Sequence, residues 1–417
     1  MPTRLYIETS IAAVFSEAAL FMLGIRKFYR AIFLLGIATL CVGLVVYPFV
    51  YENVETEVEI VFADKQNADS KDTEPTLSIT ATAQGAKYAL YVNYWAASSK
   101  KYRHKLFKLI EGSSINALVI DVKNEYGHVF YDSKLPMALA LGSQKKSYVK
   151  KGAAYLEQYK KQGHYLIARL SVFKDDLFAR QYPQWAIQDE QGDVWRDGRG
   201  LAWMDPFQQH VQAYNIAIAL DVARMGFDEI HFDYTRFPGV NDLIYSRANN
   251  QANRVAAING FLHRAQQQLM LYQVKTSIAT YGYSCWNNGD TYIGHRIDQL
   301  AKVVDYISPM LYPSSFQVGI PGFEQAVYHP YEIVLHSLRS CAKKFKLPSE
   351  RFRPWLQAFK DYSYDRRRFG AKQVLRQIEA AQQFNGAGWL LWNPASRFEK
   401  DSLPLWENKL NGVQKVH

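Results

Sequence analysis

The feature that most constrains this chain is a rhythm. From Lys87 onward, short apolar runs alternate with longer stretches of helical spacing. The runs are Tyr88–Asn93, Ala117–Val122, Tyr165–Val172, Glu229–Asp233, Lys275–Ala279, Val304–Met310, Arg353–Ala358 and Gly388–Trp392, eight in all. Helical segments such as Gln209–Met225 and Ala248–Met270 lie between them. Strands that alternate with helices pair in parallel through right-handed crossovers. Eight such units in about 330 residues predict a (β/α)8 TIM barrel over 88–417, with one or two long insertions. An open doubly wound sheet is disfavoured, because no glycine-rich phosphate turn follows the first run.

The segment before the barrel divides into three. Ala31 to Val50 is about twenty residues without a charge, enough to cross a bilayer as a helix. Arg26, Lys27 and Arg30 precede it, while Glu52, Glu55, Glu57 and Glu59 follow. The positive-inside rule then puts residues 1–30 in the cytoplasm and the barrel on the extracytoplasmic side, periplasmic or extracellular. A cleaved signal peptide is the rival reading, but the apolar run is long and no small-x-small site closely follows it. Residues 51–87 are acidic and rich in Ser, Thr and Ala, a composition that reads as a flexible stalk. The expectation is a single-pass membrane anchor, a stalk and a barrel.

Charge bears on partners. The net charge is +10; residues 1–50 contribute +2 and residues 51–87 contribute −5, which leaves +13 for the barrel. A basic barrel suits an anionic partner such as an acidic polysaccharide, though scattered surface lysines and arginines serve solubility equally well. No compact nucleic-acid motif is present, so no nucleic-acid partner is expected. The ten histidines form no HxH or HExxH pair, and there is no G-x-S-x-G elbow or P-loop. Neither a metal nor a cofactor is expected. The three cysteines, Cys41, Cys285 and Cys341, have no paired spacing and leave open whether the last two are bridged.

In such barrels the chemistry sits on loops after the strands, and the last inward side chain of each strand points into the site. Strand residues alternate faces, so in the segment FDEIHFDYTRFP the side chains of His231 and Asp233 face the axis while Ile230 and Phe232 face the helices. Asp233 is therefore an acid on the catalytic rim, followed by Arg236. A structural Asp233–Arg236 pair is the blander reading. In VIDVKNEYG, Val119, Asp121 and Lys123 share one face. Asp121 is the proposed partner carboxylate, with Lys123 holding it ionised or contacting substrate; a plain ion pair with Lys123 or Arg169 is equally consistent. Glu125, in the following turn, is the other candidate acid.

The long segment after the third run carries Trp185, Trp195 and Trp203. Tryptophan beside Asp, Arg and Gly in a rim loop suits a sugar subsite, so Trp203 and Asp205 join the substrate-binding candidates; fastening of the loop to the barrel explains them too. Tyr312, Gln357, Trp392 and Asn393 lie at the ends of the last three runs and complete that set with Arg169, His231, Arg236 and Lys123.

The segments IDVKNEYGHVFYDS, YLIARLSVFKDD, WMDP, GFDEIHFDYTRFP and ISPMLYPSS, over roughly residues 88–400, resemble a family of glycoside-hydrolase-like proteins known as a domain of unknown function. The resemblance implies a TIM barrel distantly related to amylase-like and chitinase-like glycosidases. Chitinase-like family 18 enzymes end strand four in D-x-x-D-x-D-x-E; the matching positions here are Asp228, His231, Asp233 and Thr235, so their terminal acid is absent. The segment MLYP and Trp392 do look like their strand-six and strand-eight motifs. In amylase-like enzymes Asp233 would match the nucleophile, but their acid after strand five has no counterpart in SIATYGYSCWN. The expected activity is hydrolysis of an extracytoplasmic polysaccharide by carboxylate chemistry. The alternative is a barrel that binds a glycan and tethers it to the membrane without cleaving it.

Overall fold

The computed structural model describes residues 85–144 and 154–405. The proposed cytoplasmic segment, membrane helix and nearly all of the stalk lie outside these residues. Among the described residues no helix is long and apolar enough to cross a membrane.

Eight parallel strands close into a barrel in chain order. They are β1 (Lys87–Val92), β2 (Ala117–Lys123), β3 (Tyr165–Ser171), β4 (Glu229–Asp233), β5 (Lys275–Tyr281), β6 (Tyr306–Met310), β7 (Trp355–Gln357) and β8 (Gly388–Trp392). Each coincides with one of the eight apolar runs to within a few residues. The connecting helices are α1 (Lys100–Ile110), α2 (Ala154–Lys161), α3 (Gln209–Arg224), α4 (Gln251–Leu269), α5 (Ile297–Leu300), α6 (Pro330–Phe345) and α7 (Ala371–Phe384). The long insertion follows β3, as expected, and is pinned by short antiparallel bridges such as Lys174↔Trp203 and Ala186↔Met204.

Alternation along the strands makes two cores. Ala89, Tyr91, Ala117, Val119, Ile167, Ala279, Trp355 and Leu390 fill the barrel. Their neighbours Leu90, Leu118, Ile120, Ala168, Ile278 and Leu391 meet the helices. Closure needs a glycine at the seam: Gly388 has φ +102°, and a Cβ there would lie 2.0 Å from the Lys87 carbonyl oxygen. Cys285 and Cys341 are both buried and free.

One register irregularity changes the site. Asp121 pairs with Arg169, but Lys123 pairs with Leu170, so β2 bulges between them. A bulge inserts one residue and reverses the alternation beyond it. Lys123 therefore points away from the axis, toward the helix layer. Its ammonium meets Asp175 at 2.8 Å, donates to the Ser171 carbonyl at 2.7 Å and reaches the Asn215 side chain on α3 at 3.2 Å. The expectation that Lys123 shares a face with Asp121 is thus corrected. It is a fully buried structural cation, and it contacts neither Asp121 nor the barrel mouth.

Candidate active site

Strand β4 presents Glu229, His231 and Asp233 to the axis as three successive layers, each on alternate residues. Asp233 ends the strand. Its carbonyl accepts from Val172 N, and the next residue, Tyr234, turns sharply with φ 48°. A non-glycine residue there is strained, a condition common at functional sites. The turn folds the Tyr234 N–H back onto the Asp233 Oδ1 at 2.7 Å and leaves Oδ2 for a neighbour.

That neighbour is Arg169, an inward residue of β3 that pairs in register with His231 and reaches up to the rim. Its Nε donates to Asp233 Oδ2 at 2.8 Å, its Nη2 approaches the same oxygen at 2.7 Å, and its Nη1 donates to Asp121 Oδ1 at 2.7 Å. The second Asp121 oxygen accepts the Tyr91 hydroxyl at 2.5 Å. Two carboxylates on one planar guanidinium fork lie within about 8 Å of each other. Asp233 is thus paired with Arg169 and not with Arg236, whose Nη1 donates to the Phe237 carbonyl at 2.9 Å. The guanidinium of Arg236 lies 4.9 Å from the Trp203 ring centre.

One cation serving two anions divides their titration. Burial favours the neutral form of both acids. At Asp233 the Arg169 charge, the nearby His231 and the Tyr234 N–H outweigh burial and hold the carboxyl below its usual value. At Asp121 burial wins over Arg169 and Tyr91, and the carboxyl is pushed up. Asp233 is therefore the acid kept ionised.

Glu125 sits on the turn after β2. Asn124 shapes that turn by accepting from Tyr126 N and His128 N, each at 3.1 Å. Gly127, at φ +85°, lets it pack on the β3 loop: a Cβ there would lie 2.2 Å from Asp175 Oδ1. The Glu125 side chain is 18% exposed and meets Arg199 at 3.2 Å. Arg199 in turn reaches the Tyr234 hydroxyl at 3.3 Å, which ties the Glu125 turn to the residue after Asp233. Glu125 also lies close enough to act electrostatically on Asp121 and Arg169.

An aromatic floor lies under these groups. Trp392 stacks on Tyr91 at 3.9 Å, and the Arg169 guanidinium lies 4.9 Å from its ring centre. Tyr312 packs edge-on against Phe359 at 5.3 Å, within the field of Asp233 and Arg169. Trp392 and Tyr312 thus lie beside the Arg169–Asp233 pair.

Five other candidates prove structural. Trp203 is 2% exposed and its Nε1 donates to Asp197 at 3.0 Å; it fastens the insertion and offers no free face to a sugar. Asp205 is buried and accepts from Phe207 N at 2.9 Å and Ser246 N at 2.8 Å, which ties two loops together. His231 is buried, with Nδ1 on Ser277 at 2.7 Å and Nε2 accepting from Trp355 at 3.0 Å. It faces the axis as expected, but one layer below the mouth. Gln357 is buried and binds Ser314 N at 3.0 Å and Ser314 Oγ at 2.7 Å. Asn393 donates to the Ala358 carbonyl at 2.5 Å and accepts from Ala395 N at 3.0 Å. Burial decides what Trp203, Asp205, His231 and Gln357 do, while the half-buried Asn393 is held by its bonds to the loops on either side.

Tyr91 was not singled out by sequence, though it shares the inward parity of Ala89 on β1. Trp95, 64% exposed in the short helix Tyr94–Ser98 after β1, was missed as well. Among the described residues no group of three or more His, Cys, Asp or Glu could hold a metal ion.

A solved structure of a hypothetical protein from Ruminiclostridium thermocellum is 32% identical and covers 45% of this chain and 96% of its own, with a TM-score of 0.42. The PgaB (BpsB) glycoside hydrolase domain from Bordetella bronchiseptica is 12% identical, covers 75% of this chain and 95% of its own, and has a TM-score of 0.56. The α-L-fucosidase isoenzyme 2 from Paenibacillus thiaminolyticus is 15% identical, covers 76% of this chain and 47% of its own, and has a TM-score of 0.51. At these identities the last two bear on the fold alone. No curated protein matches by sequence. Residues 89–398 match the family model described as "Putative glycosyl hydrolase domain", so this chain belongs to that glycosyl hydrolase family.

Proposed function

We propose that the barrel hydrolyses a glycosidic bond in an extracytoplasmic polysaccharide, with Asp233 as the carboxylate at the anomeric centre and Glu125 as proton donor. The observation that carries this reading is the unequal clamping of the three rim carboxylates. Asp233 has two contacts from Arg169 and one from the Tyr234 N–H, which favour the ionised form a nucleophile or base requires. Asp121 has both oxygens engaged, by Arg169 and Tyr91. It is better suited to setting the guanidinium than to passing a proton. Glu125 has a single partner, Arg199, itself 55% exposed. Its link through Arg199 to the Tyr234 hydroxyl, beside Asp233, supports the donor role.

Trp392 and Tyr312 would form the floor under the sugar, and Trp95 an outer platform. Residues 31–50 would anchor the barrel to the membrane, residues 1–30 facing the cytoplasm and residues 51–87 holding the barrel off the outer surface. The test is reducing-end release from a polysaccharide panel by wild type and by Asp233→Asn. Loss of hydrolysis by about 10²–10⁴-fold with retained binding supports the assignment, since a positioned acid–base group contributes that much. Binding without turnover by the wild type on every polymer would replace the hydrolase with a glycan tether.

A further inference from the structure

A second concavity opens beside the catalytic rim. It is a cleft of about 690 Å³ lined by residues of the loops after β7 and β8, including Lys360, Arg366, Arg368, Arg397 and Glu399. Its volume falls in the roughly 300–1,000 Å³ range of ligand-sized clefts. Phe359, Phe369, Val374 and Phe398 supply apolar walls. The cleft adjoins the site already described: Phe359 packs on Tyr312, and Asn393, another lining residue, follows Trp392.

The charge in this cleft is one-sided. Arg368 pairs with Glu399. Lys360, Arg366 and Arg397 form no side-chain hydrogen bond or ion pair among the described residues, so three cations face the cleft without a counter-charge. Scattered surface cations are ordinary, but these converge on a concave, partly apolar space next to a catalytic centre. The loop that presents Lys360 and Arg366 is also rigidly built. Asp361 accepts from the backbone N–H groups of Tyr364, Asp365 and Arg366 at 2.8, 2.9 and 3.0 Å. That coil holds Arg366 at φ +62°, a conformation that costs energy and needs such support. Gly370, the N-cap of the fourteen-residue helix α7, also lines the cleft. The partial positive charge of that helix end adds to the field. Guanidinium forks match oxyanions such as carboxylate and phosphate.

We infer that this cleft is a subsite for an anionic sugar residue, one bearing a carboxylate or phosphate group, of the glycan whose scissile bond lies at Asp233. The inference rests on the hydrolase reading above and names its substrate class: an acidic polysaccharide.

The experiment measures binding to the full chain by calorimetry at fixed low salt. The probes are tetragalacturonate against its methyl ester, and 6-phosphomaltotetraose against maltotetraose. At least one acidic probe is expected to bind at least tenfold more tightly than its neutral partner. Which of the two does so identifies carboxylate or phosphate as the group read. Arg366→Ala/Arg397→Ala is expected to abolish that preference. Arg366→Lys/Arg397→Lys should restore part of it, and Asp233→Asn should leave it intact. Equal binding of acidic and neutral probes, or a preference that survives the alanine pair, overturns the inference. Cleavage of neutral polymers with no acidic preference would sink the subsite while sparing the hydrolase. Acidic preference without turnover on any polymer would do the reverse for the catalytic assignment, leaving an anionic-glycan cleft in place.

Discussion

Strand β4 carries two inward carboxylates, Glu229 at its base and Asp233 at its rim, each bonded to a buried arginine. At the base, Arg353 Nη1 donates to both Glu229 oxygens at 3.0 and 2.8 Å. Ser277 donates to the first oxygen and Tyr165 to the second at 3.2 Å. Arg353 also meets the Ala387 carbonyl and lies over the Tyr306 ring. Neither partner reaches solvent to any useful degree. At the rim, Asp233 is 14% exposed, its arginine is shared with Asp121, and an acid with a single partner stands nearby. The same pairing of residue types thus makes a closed network below and an open one above. Chemistry needs the open one, because a substrate atom must replace something. The difference lies in layer depth and satisfaction, not in residue identity.

The largest effect is expected at the closed end. Arg353→Leu would leave Glu229 as an uncompensated buried charge, and breaking such a pair costs roughly 3–5 kcal/mol. Urea unfolding should register the loss as a lower midpoint with an unchanged slope. The corresponding rim variant, Arg169→Leu, should cost less stability because Asp233 and Asp121 can recruit water. If the two variants lose equal stability, the contrast between closed and open networks is wrong.

Glu125→Gln sharpens the contrast from the other side. With a partly exposed side chain and one salt-bridge partner, Glu125 contributes little to the fold. As proton donor it should nevertheless carry about 10²–10⁴-fold of the rate. A substrate with a highly acidic leaving group, which needs no proton, should recover most of the loss. Rates that fall equally on both kinds of substrate would remove Glu125 from the donor role and return attention to Asp121.

Much of this arrangement was legible in the sequence. The eight apolar runs mark the eight strands, and simple alternation in EIHFD places His231 and Asp233 on the axis. The same parity reaches Glu229, at the base of the strand and away from the rim where chemistry is expected. Alternation failed at Lys123, where a bulge set by cross-strand register reversed the face; no property of β2 alone reveals it. Trp203 and Asp205 were placed near the rim by the insertion that carries them, and Gln357 and Asn393 by strand position. Whether they face solvent depends on how the insertion and the β6 and β7 loops fold over them, a tertiary fact. Asp121 and Arg169 were visible as a candidate pair, but the sharing of one guanidinium with Asp233 required the register of β3 between its neighbours.

The smallest predicted effect tests the middle layer, where His231 separates the two carboxylates. Glu229 below and Asp233 above favour its protonation, while Arg169 and Arg353 oppose it, but burial is the largest influence and pushes its pKa down to about 4. The neutral ring then accepts from Trp355 and donates to Ser277. Because an unfolded histidine titrates near 6.5, the unfolded chain takes up a proton that the folded one refuses as pH falls from about 6.5 toward 4. The contribution is fully present above that window and is lost through it at up to about 1.4 kcal/mol per pH unit. His295, also pushed down to about 4 by burial, adds a second term of the same sign. Urea midpoints measured at pH 7 and pH 5 should therefore fall more steeply for wild type than for His231→Gln, which lacks the His231 term and keeps the others. The intrinsic cost of the substitution cancels, since only the slope is compared. Parallel slopes would mean that His231 titrates in the fold as it does in the unfolded chain, and a shallower wild-type slope that it is already protonated in the fold. The middle layer would then belong electrostatically to the charged rim above it.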